Sequence, residues 1–308
     1  MSARQRPDVA RPLTRTRSRA GEDAIRVALA GCALVSVITT VGIVVALLVP
    51  ALEFFGEVNP IDFLFGTDWA PLFSPSHFGV LPLVAGTLLV TVCACLVALP
   101  LGLGVAIYLA EYSSRRVRQV VKPLLEILAG IPTVVYGYFA LTSVTPLLRH
   151  LGLGVEVFNA LSAGLVMGVM LLPTVASLSE DAMAAVPLAL RQGGYALGAN
   201  RLQVSVRIVV PAALSGIVAS FVLAISRAVG ETMIVTIAAG LQPTLTLDPR
   251  VAVETLTAFI ASTAGGDVPT GSVEYKTIFA VGLALFVATL ILNALAIRLV
   301  RRYREVYE

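Results

Sequence analysis

The sequence predicts an all-α, polytopic membrane protein with six transmembrane helices, and three observations carry that prediction. Of 308 residues, 57% are hydrophobic and 13% charged, about half the charge that a water-facing domain carries. Six apolar stretches are each long enough to cross a bilayer. Basic residues gather in alternate connections between those stretches. Three cysteines are too few for a secreted disulfide scaffold, and the apolar excess excludes disorder.

A spanning helix needs about 20 mostly apolar residues. Val27 to Leu52, Phe78 to Ala110, Ile127 to Leu148, Val157 to Ser179 and Thr277 to Ile297 contain no charged side chain, and Ile208 to Leu241 only Arg227 and Glu231. None alternates with the two-residue period of a transmembrane barrel. Lipid offers the backbone no partner, so the spans are helices. The first run is longer than the 7–15 apolar residues of a secretory signal and is read as a retained helix.

Orientation follows from the basic residues. Arg4, Arg6, Arg11, Arg15, Arg17, Arg19 and Arg26 precede span one; Arg115, Arg116, Arg118 and Lys122 follow span two; Arg191, Arg201 and Arg207 follow span four. Arg298, Arg301, Arg302 and Arg304 close the chain, so 18 of 22 basic residues share one side. Both termini are expected in the cytoplasm, with the arginine-rich tails against anionic lipid rather than nucleic acid. The expected organisation is a basic tail at 1–24, a first transmembrane helix at 25–52 and an extracytoplasmic loop at 53–77. A five-helix core follows at 78–298, with a long cytoplasmic loop at 180–210, and then a tail at 299–308.

Catalytic groups are scarce. His77 and His150 fit no metal-ligand spacing, and Cys93 and Cys95, two apart on a helix, point away from each other. Neither lysine, Lys122 nor Lys276, follows a glycine. Without a phosphate-cradling loop the chain is expected to hydrolyse no ATP, to need no cofactor and to be no enzyme.

The loop after span four carries the most specific pattern. Pro187 suits a helix start and Gly198 the left-handed position after a helix end, so a helix of about 10 residues is expected between them. A short apolar helix outside the membrane must bury against headgroups or a partner protein. Gln192-Gly193-Gly194, then Gly198, Ile208 and Val210-Pro211, resemble the Glu-Ala-Ala loop of ABC importer permeases, with matching spacing. The resemblance implies a coupling helix that docks an ATPase subunit, with Leu190, Gln192, Gly193, Gly194, Leu197, Gly198 and Pro211 as its residues. Gln-Gly-Gly replaces Glu-Ala-Ala, and each glycine costs about 1 kcal/mol of helix stability.

In span five, Arg227 lies about 24 Å beyond Pro211 if the helix is continuous. A lone buried arginine costs at least about 2.5–3.5 kcal/mol, and Glu231, four residues on, is its expected partner. Two readings stand: an ion pair that fixes packing, or a guanidinium lining a hydrated path where its planar fork meets an oxyanion. Glu126 suits either a helix start or a path, and Gly130-Ile131-Pro132 reads as a kink with Gly130 allowing close approach.

Arg227-Ala228-Val229-Gly230-Glu231-Thr232-Met233 is similar to a segment of phosphate ABC importer permeases. So is Gly130-Ile131-Pro132-Thr133-Val134-Val135-Tyr136-Gly137. The stretch Phe63 to Pro71 and the run Pro82 to Leu89 resemble the PstC type more than PstA. The resemblance implies a MetI-like permease fold and a place in the bacterial inner membrane. It also implies phosphate passing Arg227 and Glu231, and four partner chains: a PstA-like permease, two PstB-like ATPases and a PstS-like extracytoplasmic binding protein. A permease for sulfate or molybdate, or a stand-alone secondary anion transporter, are the alternatives.

Overall fold

The computed structural model describes residues 20–302; the basic positions from Arg4 to Arg19, and Arg304, lie outside them. The described residues up to 46 form one compact unit and those from 47 onward a second. The first described helix, α1 (Ala20–Glu57), runs through both units and passes the expected end at 52.

Within the second unit, α2 (Pro60–Phe65) is capped by Asn59, and a two-stranded antiparallel hairpin follows, β1 (Trp69–Ala70) with β2 (His77–Phe78). The segment expected as a loop is thus a folded platform. Helix α3 (Leu81–Ile107) then runs to a π-helical turn at Tyr108–Tyr112. Helices α4 (Arg115–Gly130), α5 (Thr133–Phe139) and α6 (Thr145–His150) follow. After them come α7 (Ala160–Ala184), α8 (Leu188–Ala196), α9 (Arg201–Val204), α10 (Val210–Ala212) and α11 (Leu214–Val229). The chain continues through α12 (Met233–Ala238), α13 (Leu256–Ala264) and α14 (Val273–Arg302).

Among the described residues, four helices are long and apolar enough to cross a membrane: Gly21–Glu57, Leu81–Tyr112, Ala160–Ala184 and Val273–Arg298. The third and fifth expected spans are not straight rods but bent pairs. Arg115–Gly130 meets Thr133–His150 at 87°, and Arg201–Ala212 meets Leu214–Val229 at 70°. Proline explains the first bend. Ile131, forced out of the helical region by Pro132, is extended at ψ 130°. A Cβ on Gly130 would meet nothing, so that glycine ends α4 rather than admitting a neighbour. The second bend falls at Ala213, just after Pro211, which cannot donate to the helical ladder,.

The core is the contact between α3 and α7. Gly164 and Gly168, spaced as Gly-x-x-x-Gly, let α7 approach closely: a Cβ at Gly168 would lie 2.7 Å from Val97 Cβ and 2.8 Å from the Ala94 carbonyl oxygen. The interior built there from Ala94, Ala98, Met167, Met170 and Leu171 is fully buried. The polar groups at the start of α7 are paired. Asn159 caps α7 at the Ser162 amide (2.7 Å), and the Thr145 hydroxyl donates to Ser162 (2.9 Å).

Candidate functional site

Two regions of this unit bear on function: the loop of α8 and the break between α11 and α12. In the loop, α8 spans nine residues, beginning just after Pro187, and Gly198 has the expected left-handed φ of +82°. The Ala199 amide donates to the Gly194 carbonyl (3.1 Å), which closes the helix end,. Gly194 is buried, and a Cβ there would lie 2.5 Å from Ile208 Cδ1, so the glycine admits Ile208. Gly193 faces open space. The two glycines therefore differ: the first only weakens the helix, whereas the second makes room for a side chain that packs α8 onto the following turn.

The apolar residues of α8 divide between two faces. Leu190 packs inward against the cluster of Met183, Val204 and Ile217. Leu188, Tyr195 and Leu197 point outward, Leu197 being 89% exposed, and Gln192 is exposed beside them. Leu190 and Leu197, both expected among the coupling residues, thus have different surroundings. Pro211 is exposed beside the bend at Ala213.

Sequence reasoning missed the residue that fixes α8. Arg191 donates from Nε and Nη2 to Glu111 Oε1 (3.2 and 3.1 Å), from Nη1 to the Val186 carbonyl (2.6 Å) and from Nη2 to the Met183 carbonyl (2.7 Å). The guanidinium thus caps the end of α7 and ties α8 to the end of α3. Both partners of the ion pair are largely buried. Only the arginine's five-donor fork can meet so many acceptors at once. Nearby, Arg118 and Lys122 of α4 both pair with the fully buried Glu180 of α7, and Lys122 also reaches Asp181 at 2.9 Å. These basic residues, counted from sequence as topology markers, also clamp α4 to α7. Arg201 lies over the Tyr112 ring at 5.0 Å.

At the second region the structure separates the expected ion pair. Helix α11 ends at Val229, and Gly230 to Thr232 are not helical, so the four-residue spacing no longer stacks the two side chains. The 24 Å estimate, which assumed a continuous helix, fails at the Ala213 bend as well. Arg227 occupies the last turn of α11, exposed, and its Nη1 reaches the Thr174 hydroxyl at 3.5 Å. Among the described residues it has no carboxylate partner. Glu231 instead accepts from the amides of Met233 (3.1 Å) and Ile234 (3.4 Å), capping α12,. Its backbone carbonyl accepts from the Thr257 hydroxyl at 2.7 Å, which anchors the break to α13. Below Arg227, Thr174 and Ser177 of α7 line a cavity of about 300 Å³ with Lys122 and Glu126 of α4.

Residues 98–305 match the family described as binding-protein-dependent transport system inner membrane component. The chain belongs to this family. This permease is 37% identical over 283 residues to the probable ABC transporter permease YqgH of Bacillus subtilis, with 91% of each chain covered. It is 33% identical to the phosphate transport system permease PstC of Mesorhizobium japonicum, covering 80% of this chain and 79% of that one. It is 32% identical to PstC 1 of Mycobacterium tuberculosis, covering 80% and 83%. Among solved structures it resembles a bacterial alginate ABC transporter complex at a TM-score of 0.64 and 17% identity, covering 92% of this chain and 98% of that one. The MetNI methionine transporter gives 0.55 and 18%, covering 74% and 95%. These last two show the fold, which is the MetI-like permease architecture. The permease is an inner-membrane transport component and not an enzyme.

Proposed function

We propose that this permease is the PstC-type subunit of an ATP-driven phosphate importer. It forms half of the translocation path beside a PstA-like permease, and takes phosphate from a PstS-like binding protein outside the membrane. The observation that carries this reading is Arg227. Its guanidinium is exposed, lies at a helix break and, among the described residues, makes one long hydrogen bond and no ion pair. An arginine so weakly held can meet an oxyanion bidentately and still release it. Relatives named for phosphate transport support phosphate over other oxyanions.

Both termini, with the tails at 1–24 and 299–308, are placed in the cytoplasm by the distribution of basic residues. Two PstB-like ATPases dock on the cytoplasmic side, one of them on this chain at α8. Leu197, Gln192 and Gly193 form the exposed docking face with Leu188. Leu190, Gly194, Gly198 and Pro211 shape the helix from behind. ATP-driven closure of the ATPases moves α8, and Arg191 passes that motion to α3 and α7. Glu231 holds the break at which Arg227 is presented.

The test is phosphate uptake into proteoliposomes holding the whole complex. Arg227→Gln should lower ATP-dependent uptake at least about tenfold while ATPase subunits still co-purify. Uptake at the wild-type rate in a folded variant removes Arg227 from the path, and sulfate or molybdate uptake in preference to phosphate reassigns the substrate.

A further inference from the structure

At the end of the α3–α7 core away from α8, two adjoining cavities share Leu72, Ser262 and Thr263 in their walls. The smaller, about 220 Å³, lies between the hairpin and α13 and is lined by Trp69, Phe73, Phe259 and Glu254. The larger, about 500 Å³, adds Asp267 and Glu274. Every charged group in the two walls is a carboxylate.

Glu254 is the unusual member. It is 94% buried, its residual exposure being 6%, yet among the described residues its carboxyl has no hydrogen-bond or ion-pair partner. A buried carboxyl normally finds one, and this one faces a cavity large enough for a side chain. The elements around it cannot supply a cation. Helices α3 and α13 carry no charged residue. Arg250 of the preceding loop is held bidentately by Asp248 (2.9 and 2.7 Å). Lys276 of α14 is taken by Glu57 (2.9 Å) and Glu53 (3.3 Å). The hairpin brings only His77 and Asp68.

The walls favour one kind of guest. Trp69 and Phe259 meet edge to face with centroids 4.8 Å apart, and ring faces attract a guanidinium or ammonium. The Trp69 indole N–H is itself buried without a partner. At the rim Leu72 is 55% and Phe73 75% exposed, an apolar margin of the sort that surrounds a binding hot spot.

We infer that the Glu254 cavity is a docking socket for an arginine or lysine side chain presented by the extracytoplasmic binding protein. The socket rests on the orientation and partner proposed above, and adds to them the recognition chemistry. An acidic socket with an aromatic wall receives the basic tip, Asp267 and Glu274 steer it in, and Leu72 and Phe73 close over its stem. Docking here presses on the hairpin and on α13, whose Thr257 holds the Glu231 carbonyl beside the α11–α12 break. Seating the binding protein is thereby linked to the segment that presents Arg227.

The test uses the complete complex in nanodiscs and the phosphate-loaded binding protein as probe. Glu254→Gln, which keeps shape and removes charge, should weaken binding about tenfold, mostly through faster dissociation. Asp267→Asn with Glu274→Gln should slow association and flatten its salt dependence. Basal ATP hydrolysis should be unchanged in both. A photo-cross-linking residue at Phe73 should capture the binding protein. Unaltered binding by Glu254→Gln, or capture of the second permease subunit from Phe73, overturns the socket. Failure of the underlying reading looks different, since the wild-type complex would then neither bind that protein nor take up phosphate.

Discussion

Around α8, charged side chains join the elements: Arg191 spans Glu111 and two carbonyls, and Arg118 and Lys122 converge on Glu180. At the other end of α3, rings take that role. Phe54, Phe63, Trp69 and Phe259 form a chain of edge-to-face contacts linking α1, α2, the hairpin and α13. Carboxylates at this end share Lys276, pair with Arg250 beside them in the loop, or are left alone. The α8 end thus couples elements through directional bonds that hold one geometry. The ring-packed end resists water but tolerates small shifts. A helix that must transmit movement suits the first kind of joint, and a surface that receives a partner suits the second.

The sharpest way to break this contrast is Arg191→Ala. It leaves Glu111 and two carbonyls without partners, and stripping one member of a buried pair costs about 3–5 kcal/mol. Thermal unfolding in detergent should register the loss. Arg191→Lys should recover part of the stability but little ATP-driven uptake, because an ammonium cannot hold all four bonds. At the ring end, Phe63→Ala removes the side chain that touches Phe54, Phe55 and Trp69. A loss of about 3 kcal/mol is expected, with no dependence on salt. Salt sensitivity there, or none at Arg191, would contradict the division.

A smaller effect distinguishes clamp from marker at Lys122. Lys122→Met leaves Glu180 with Arg118 alone. The expected cost is about 2 kcal/mol, measured by unfolding, with helix insertion unchanged. An effect on insertion and none on stability would return Lys122 to a topology role.

Much of this architecture was legible in the chain, and the failures have physical causes. Composition and run length identify apolar helices because lipid imposes a single rule on the backbone, and Pro187 and Gly198 bracket α8 to within a residue. Run length alone shows neither break, because an apolar run has no period that changes at a bend. The kink expected at Gly130-Ile131-Pro132 is there, whereas the break at Ala213 was not foreseen. Proline was the available signal, and Pro132 and Pro211 each stand beside a break. Pairing Arg227 with Glu231 failed for that reason too, since a four-residue spacing matters only while the helix continues. Gly164-x-x-x-Gly168 was present in the sequence as a packing signal. Arg191 was not: its partner Glu111 is 80 positions away, and only the fold brings them together. Glu254 gave no sign either, being one acid in a loop until its burial was known.

Glu254 provides the finest measurement of the contrast, because its charge opposes the fold where those near α8 support it. Burial pushes its carboxyl up to about 7 from an ordinary 4.5. Between those values the unfolded chain has lost the proton while the folded chain keeps it, so stability falls as pH rises through this window and levels off above about 7. The wild-type permease should therefore lose about 3 kcal/mol between pH 4.5 and 8, and Glu254→Gln should show no such step at this site. At pH 8 the variant should be the more stable by that amount; at pH 4 the two should agree. Asp248, held near 2 by Arg250, stays ionised across the range and adds no slope of its own. A bound basic peptide adds a further arm. If a cation enters the socket, it favours the ionised carboxyl, and the step should shrink or reverse. A step that persists unchanged under saturating binding protein would leave Glu254 a buried acid and nothing more.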